Sequence, residues 1–223
     1  MNKYLKELIL WALILLPYAY LVTIWRELPD KVPTHFNFEG KANGWSNKTT
    51  MLFMPGVFGI GIYALMLAIP FLDPKNKIQQ MGDKFFVLRF MLTLFTSALM
   101  TYLLYAGNAG SLKNPGLLVG LIGALFAMLG NYFQTIRPNY FIGIRTPWTL
   151  ENEQVWKKTH LLSGRLWMVG GIVIVILSFL ITNNHILMVV FGILGLIMGV
   201  VPVVFSYTEF KREKSLLRNE QVE

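Results

Sequence analysis

Residues 166–208 read LWMVGGIVIVILSFLITNNHILMVVFGILGLIMGVVPVVFSYT and contain no Asp, Glu, Lys or Arg. The turn-forming residues Asn183, Asn184 and His185 divide this run into pieces of about 17 and 23 residues. A transmembrane helix needs about 20 apolar residues to cross about 30 Å of hydrocarbon. The run therefore predicts two consecutive membrane-spanning helices joined by a short turn.

Four more uncharged runs precede this one, at residues 8–25, 49–72, 90–112 and 114–136. Hydrophobic residues make up 54% of the 223 residues and charged residues 14%, against about 25% in ordinary globular domains. The first run is longer than the core of a signal peptide and lacks a small-x-small cleavage site, so we expect an uncleaved anchor. The sequence predicts an all-α integral membrane protein built as a six-transmembrane-helix bundle.

The basic residues predict the orientation of that bundle. Six spans place both termini on one face, and that face carries 15 of the 20 Lys and Arg residues. The positive-inside rule then puts both termini in the cytoplasm, N-in and C-in, in the cytoplasmic membrane. The net charge of +8 is thus mainly an orientation signal, and we expect no direct nucleic-acid partner.

Two parts are expected within this architecture. Residues 1–72 form an N-terminal helix pair with an extracytoplasmic loop at 26–48, and residues 73–223 form a four-helix part carrying a cytoplasmic loop at 137–165. The spans contain no Asp or Glu, which disfavours ion-coupled transport. The absence of cysteine excludes disulfides, thiolate metal sites and a cysteine nucleophile.

Glycines at four-residue spacing, Gly116 with Gly120 and Gly195 with Gly199, allow helices to approach closely in lipid. We expect them to pack inside one bundle rather than at a dimer interface.

The outer loop predicts a structured cap. Pro29 and Pro33 keep its start extended, and residues 34–38 alternate polar and apolar side chains as a short strand would. Gly40 and residues 43–44 mark turns. A single histidine, His35, has no second His or Cys beside it, so we expect no metal there.

The inner loop is predicted to contain an interfacial helix that runs into the fifth span. Thr149 is the expected N-cap, with Glu151 and Glu153 in the first turn, where carboxylates oppose the positive helix end. Trp156 and His160 fall on one face at helical spacing.

No set of acid, base and nucleophile in this loop has the spacing of a catalytic device, so we expect neither an enzyme nor a cofactor. Arg145 lies in an aromatic segment bounded by glycine and proline. It could clamp a lipid phosphate or a partner carboxylate, or form a structural salt bridge with Glu151 or Glu153.

Together these segments resemble the SdpI family of bacterial membrane proteins. The inner-loop resemblance is carried by Gly130, Asn131, Arg137, Asn139, residues 141–150, residues 155–160 and Gly164. The outer loop resembles the extracytoplasmic domain that often precedes this signature, through Pro29, residues 33–37, Gly40 and Trp45.

The resemblance implies immunity to a secreted antimicrobial peptide toxin, and a receptor that relays the toxin's presence to a small cytoplasmic repressor. It implies a cytoplasmic partner- or ligand-binding set of Asn131, Asn139, Arg145, Thr146, Trp148, Thr149, Trp156 and His160. The implied toxin-facing set is Pro33, His35, Phe36, Asn37, Gly40 and Trp45. Two alternatives remain open: a transporter or enzyme handling a lipid or small amphiphile at an inner cleft around Arg145, and a scaffold without a ligand. Membrane lipids are expected contacts in every case.

Overall fold

The computed structural model describes residues 2–220, and within that range the chain forms seven α-helices and one β-hairpin. Six of the helices are long and apolar enough to cross a membrane, which confirms the predicted helical membrane architecture. The elements in chain order are α1 Lys3–Ile24, β1 Lys31–Phe36, β2 Ala42–Asn47, α2 Thr50–Leu72, α3 Asp83–Ala109, α4 Pro115–Phe133, α5 Pro147–Glu151, α6 Glu153–Leu180 and α7 Asn184–Glu220.

Several helices extend beyond the uncharged runs that predicted them. Helix α3 begins at Asp83, and the 37-residue helix α7 continues through the basic tail. The predicted turn lies between α6 and α7, where the Asn183 side chain accepts hydrogen bonds from the backbone N–H groups of His185 and Ile186. Charged residues therefore end the membrane-crossing part of these helices without ending the helices themselves.

Helices α4 and α6 are in direct backbone contact. A Cβ atom added to Gly130 would lie 2.2 Å from the backbone nitrogen of Met168, and one added to Gly171 would lie 2.4 Å from that of Ala127. In lipid, such close approach replaces hydrophobic burial with dispersion contacts along the two backbones. We call this contact the glycine seam.

The glycine predictions have a divided outcome. Gly116 and Gly120 pack against Ser178 of α6, as expected for packing inside the bundle. The prediction is wrong for Gly195 and Gly199, because no described atom lies within 4 Å of the position their Cβ atoms would take. Helix α7 turns that side outward.

The outer cap is an antiparallel hairpin of β1 and β2 rather than a single extended segment. Its tip closes at Gly40, whose φ of +79° is in the region that favours glycine. The Gly40 carbonyl accepts a hydrogen bond of 2.9 Å from the Leu112 N–H, which ties the hairpin to the connection between α3 and α4. Its base is buried at Leu28 and Val32 against α1, α2 and α3.

The two ends of the bundle differ in character. The end with the hairpin, called here the hairpin end, also carries the short connections that follow α3 and α6. The opposite end, the loop end, carries the beginning of α1 and the end of α7 together with residues 73–82 and 134–152. There the Arg89 guanidinium of α3 binds the Glu7 carboxylate of α1 through two hydrogen bonds of 2.8 and 2.9 Å.

Candidate functional site: a hydrogen-bonded loop between α4 and α6

The loop formed by residues 134–152 is organised first by Asn139. This side chain is buried, and its amide donates to the carbonyls of Arg137 and Ile142 while its oxygen accepts from the N–H groups of Phe141 and Ile142. An asparagine can close a turn in this way because its side chain imitates a peptide group. Asn139 is therefore a structural centre of the loop, with its polar atoms fully used.

His160 of α6 holds the next part of the loop. Its Nε2 accepts a 3.0 Å hydrogen bond from the Ile144 N–H, and its Nδ1 lies 2.9 Å from the Trp156 carbonyl. This pairing requires a neutral ring with the proton on Nδ1. Gly143 makes the contact possible, because its φ is +106° and a Cβ there would lie 2.4 Å from His160 Nε2.

Trp156 stacks against the ring of the same histidine. The two rings stack with centroids 4.0 Å apart, and the indole N–H donates to the Ile136 carbonyl at 3.1 Å. The prediction that Trp156 and His160 share one face is confirmed, and both side chains are buried.

The short helix α5 within this loop departs from the prediction in one respect. Thr146, not Thr149, is the N-cap of α5, and the two threonines form a reciprocal capping box. Pro147 at the first helical position favours this start, because its fixed φ suits a helix and its missing N–H has no partner to lose. The chain breaks again at Asn152, which caps α6, so Glu153 but not Glu151 lies in a first turn.

The capping box also connects the loop to α7. Thr149 is fully buried. Its hydroxyl accepts a hydrogen bond from the Thr146 N–H and donates one of 2.9 Å to the Ile144 carbonyl. The Thr146 hydroxyl is 3.1 Å from Ser206 Oγ of α7. Trp148 packs against Tyr207 of the same helix with ring centroids 5.0 Å apart.

Arg145 is held, but not by a carboxylate. Its guanidinium donates a 2.6 Å hydrogen bond to the Tyr140 carbonyl, and the rest of the side chain is exposed. The salt bridge considered with Glu151 or Glu153 is not formed. Asn131 lies on an exposed side of α4. The expected inner set of eight residues therefore has two parts: a buried framework, and an exposed surface formed by Asn131, Arg145 and part of Trp148.

Sequence reasoning missed an ion cluster between α6 and α7. Lys158 binds the carboxylates of Glu209 and Glu213 at 2.5 and 2.6 Å, and Glu209 is buried. The signal was present, because Glu209 directly follows the last uncharged run and a carboxylate at that point needs a partner.

At the hairpin end the expected set also divides. Pro33 and Gly40 are buried, and Phe36 is half-buried against Leu112 and its neighbours. The Asn37 side-chain oxygen shapes the turn by accepting hydrogen bonds from the backbone N–H groups of Glu39 and Lys41. His35 and Trp45 are exposed, and His35 Nδ1 lies 2.5 Å from the Asn43 side-chain oxygen.

Phe38 is an exposed aromatic residue of this tip that lies outside the expected toxin-facing set. Its side chain is 66% exposed and that of Trp45 is 58% exposed. Beside the hairpin, α1 and α2 enclose a cavity of about 400 Å³ lined by Tyr18, Leu21, Val22, Trp25, Arg26 and Leu52.

These features define a class: a multi-pass protein of the cytoplasmic membrane with a small β-hairpin at one end and a hydrogen-bonded loop at the other. Comparison with known proteins makes the class specific. Residues 135–206 match the SdpI/YfhL protein family, and residues 12–59 match a domain of unknown function, DUF1648. The first match confirms the resemblance to the SdpI family that the inner loop predicted.

A curated relative is the Immunity protein SdpI of Bacillus subtilis (strain 168). It is 27% identical over 210 residues, which cover 93% of this chain and 97% of that protein. No solved structure matches the chain.

Proposed function

We propose that this protein makes a cell immune to a secreted antimicrobial peptide toxin that acts at the membrane. The observation that carries the proposal is the similarity to an immunity protein over 93% of the chain, which includes both ends of the bundle. The protein acts by binding, not by catalysis.

The hairpin end is the proposed toxin-binding surface, and the charge asymmetry of the sequence supports a position outside the cell for it. His35, Phe38 and Trp45 present exposed aromatic surface there, and aromatic side chains with a polar edge favour the membrane interface. The cavity between α1 and α2 adds an apolar recess beside that surface. Pro33, Phe36, Asn37 and Gly40 support this surface by holding the hairpin in shape.

We further propose that the loop end relays toxin binding to a small cytoplasmic repressor. Arg145 and Trp148 are the contact residues of this proposal, because they project from a loop whose backbone is fixed by buried partners. Asn139, Thr146, Thr149, Trp156 and His160 act as positioning residues that keep this surface in one conformation.

The lipid or amphiphile alternative needs a cleft that gathers Asn131, Asn139, Arg145 and His160. The polar atoms of Asn139 and His160 are occupied by loop hydrogen bonds, and Asn131 and Arg145 are exposed. Because these four side chains do not converge on one cavity, the geometry favours the immunity function.

Expression of the intact protein in a toxin-sensitive bacterium tests the main proposal. The host is challenged with a panel of purified membrane-active peptides, and we expect survival at concentrations that kill cells carrying an empty vector. Trp45→Ala and Phe38→Ala should reduce survival, whereas Leu216→Ala on the exposed tail of α7 should not. Equal killing of expressing and empty cells by every peptide, at verified membrane expression, would refute the immunity function.

The relay is tested separately in cells that carry a fluorescent copy of a small repressor encoded beside the gene. Toxin should move the fluorescence to the membrane, and Arg145→Ala with Trp148→Ala should prevent this while leaving survival unchanged. Unaltered localisation in cells that do survive would refute the relay and leave the immunity function standing.

A further inference from the structure

Residues 134–140 border a groove at the loop end that the proposed function does not use. Three adjoining cavities of about 100, 340 and 290 Å³ follow this segment, and Pro138 lines all of them. The middle cavity is lined by Lys77, Arg137, Pro138, Leu150, Glu151 and Glu153.

The charged side chains of the middle cavity face one another without pairing. Within residues 2–220, Lys77, Arg137, Glu151 and Glu153 form no ion pair within 4.0 Å. Other charges at the same end are paired, as in the cluster around Lys158. The cations and the carboxylates of this cavity are therefore available to a ligand, and a ligand with both charges a few bonds apart would contact both sides.

The height of the groove in the membrane points to the kind of ligand. Arg137 directly follows the uncharged run 114–136 that contains α4, and Lys77 follows the end of α2 at Leu72. Glu151 and Glu153 line the same cavity as these two residues. Residues directly beyond the ends of membrane-spanning helices lie among the lipid headgroups. Phe71 and Leu72 at the end of α2 are 85% and 62% exposed, so the helix that leads to Lys77 ends in apolar surface available to acyl chains.

We infer that this groove binds the zwitterionic headgroup of an aminophospholipid, phosphatidylethanolamine. The phosphate accepts hydrogen bonds from Arg137 and Lys77, since guanidinium and ammonium groups are the usual partners of phosphate oxygens. The primary ammonium donates to Glu151 and Glu153. Glycerol headgroups carry no cation for the carboxylates, and the choline group has no N–H to donate, so neither satisfies both sides.

Native mass spectrometry of the purified full chain tests this inference with three lipids of identical acyl chains: phosphatidylethanolamine, phosphatidylglycerol and phosphatidylcholine. Exposed charge pairs contribute little each, so we expect phosphatidylethanolamine to bind about threefold to tenfold more tightly than phosphatidylcholine. Equal binding of these two lipids would overturn the inference.

Variants locate the preference. Glu151→Gln with Glu153→Gln should abolish the preference for phosphatidylethanolamine over phosphatidylcholine and leave phosphatidylglycerol binding unchanged or stronger. Arg137→Gln with Lys77→Gln should weaken the binding of all three lipids. The matched control is Glu27→Gln with Asp30→Asn at the hairpin end, which should change nothing.

Glu153→Gln also removes a carboxylate from the first turn of α6, so Glu151→Gln alone is measured beside it, together with the melting temperature of each variant. A preference that survives the Glu151 and Glu153 substitutions in a folded protein would overturn the inference. Tighter binding of phosphatidylglycerol than of phosphatidylethanolamine to the unmodified protein would overturn it too, because that result reports net positive charge alone.

Discussion

Substitution of Gly143 by alanine should damage the loop end more than any other single methyl group added there. The φ of +106° strains any residue with a Cβ, by about 1–3 kcal/mol. The new Cβ would lie 2.4 Å from His160 Nε2 and 2.8 Å from Ile136 Cδ1, so the loop must move and lose the hydrogen bond from the Ile144 N–H. Loss of a buried hydrogen bond costs about 1 kcal/mol.

The expected loss in the free energy of unfolding is therefore about 2–4 kcal/mol. It can be measured on the purified protein by titration with sodium dodecyl sulfate in mixed micelles, followed by tryptophan fluorescence. Trp156 stacks on His160, so its emission should also change before global unfolding.

Two other glycines separate the strain from the contact. Gly110 has a φ of +76° with no atom within 4 Å of its missing Cβ, so Gly110→Ala reports strain alone. Gly192 is helical and equally open, so Gly192→Ala should not destabilise the protein and is expected to stabilise it by about 0.5–1 kcal/mol. If Gly143→Ala and Gly110→Ala lose the same free energy, the contact with His160 is not what makes Gly143 necessary, and the reasoning fails.

Three further predictions concern the polar contacts of the two ends. Thr149→Val should lower the free energy of unfolding by about 2–3 kcal/mol, because it leaves the Ile144 carbonyl and the Thr146 N–H buried without their partner. The control Thr208→Val, at an exposed position of α7, should change the free energy of unfolding little. Lys158→Met should lower the free energy of unfolding by about 2 kcal/mol in the detergent titration, because it leaves buried Glu209 without the Lys158 ammonium. Adding Glu209→Gln to the same chain should recover much of that loss. Additive losses from the two substitutions would contradict the pairing. The hydrogen bond from Lys41 holds the pKa of Glu39 below its usual range. The pair therefore stabilises the hairpin at a pH above the ordinary pKa of a glutamate, and this stabilisation is lost as the pH falls through the lowered pKa. Lys41→Gln should raise the pKa of Glu39 in a nuclear magnetic resonance titration, and an unchanged pKa would exclude the pair.

The membrane-spanning helices were predictable from the sequence because charge is nearly incompatible with hydrocarbon. The uncharged runs therefore located every span, while the charged extensions of α3, α6 and α7 were invisible to the same test. Helix ends in water are decided by capping and local contacts, which a count of charges does not describe.

The local structure of the candidate site was predictable only in part. The stacked pair of Trp156 and His160 followed from helical spacing, and that part of the prediction is confirmed. The N-cap was wrong because Pro147 places the helix start one residue before itself, a stronger signal than the position of Thr149. The position of Glu209 after the last uncharged run indicated that it needs a partner, but Lys158 is far away in the chain, so only the packing of α6 on α7 could identify it as that partner.

The glycine seam also sets the order in which the protein can be completed during synthesis. Helix α4 enters the membrane before α6, and until α6 arrives its small residues face lipid with no backbone to meet. Residues 134–152 then lack His160 and Trp156, and they gain Ser206 only after α7 follows. The loop surface is therefore completed only after α7 has been inserted, and a chain whose insertion stops early does not form that surface.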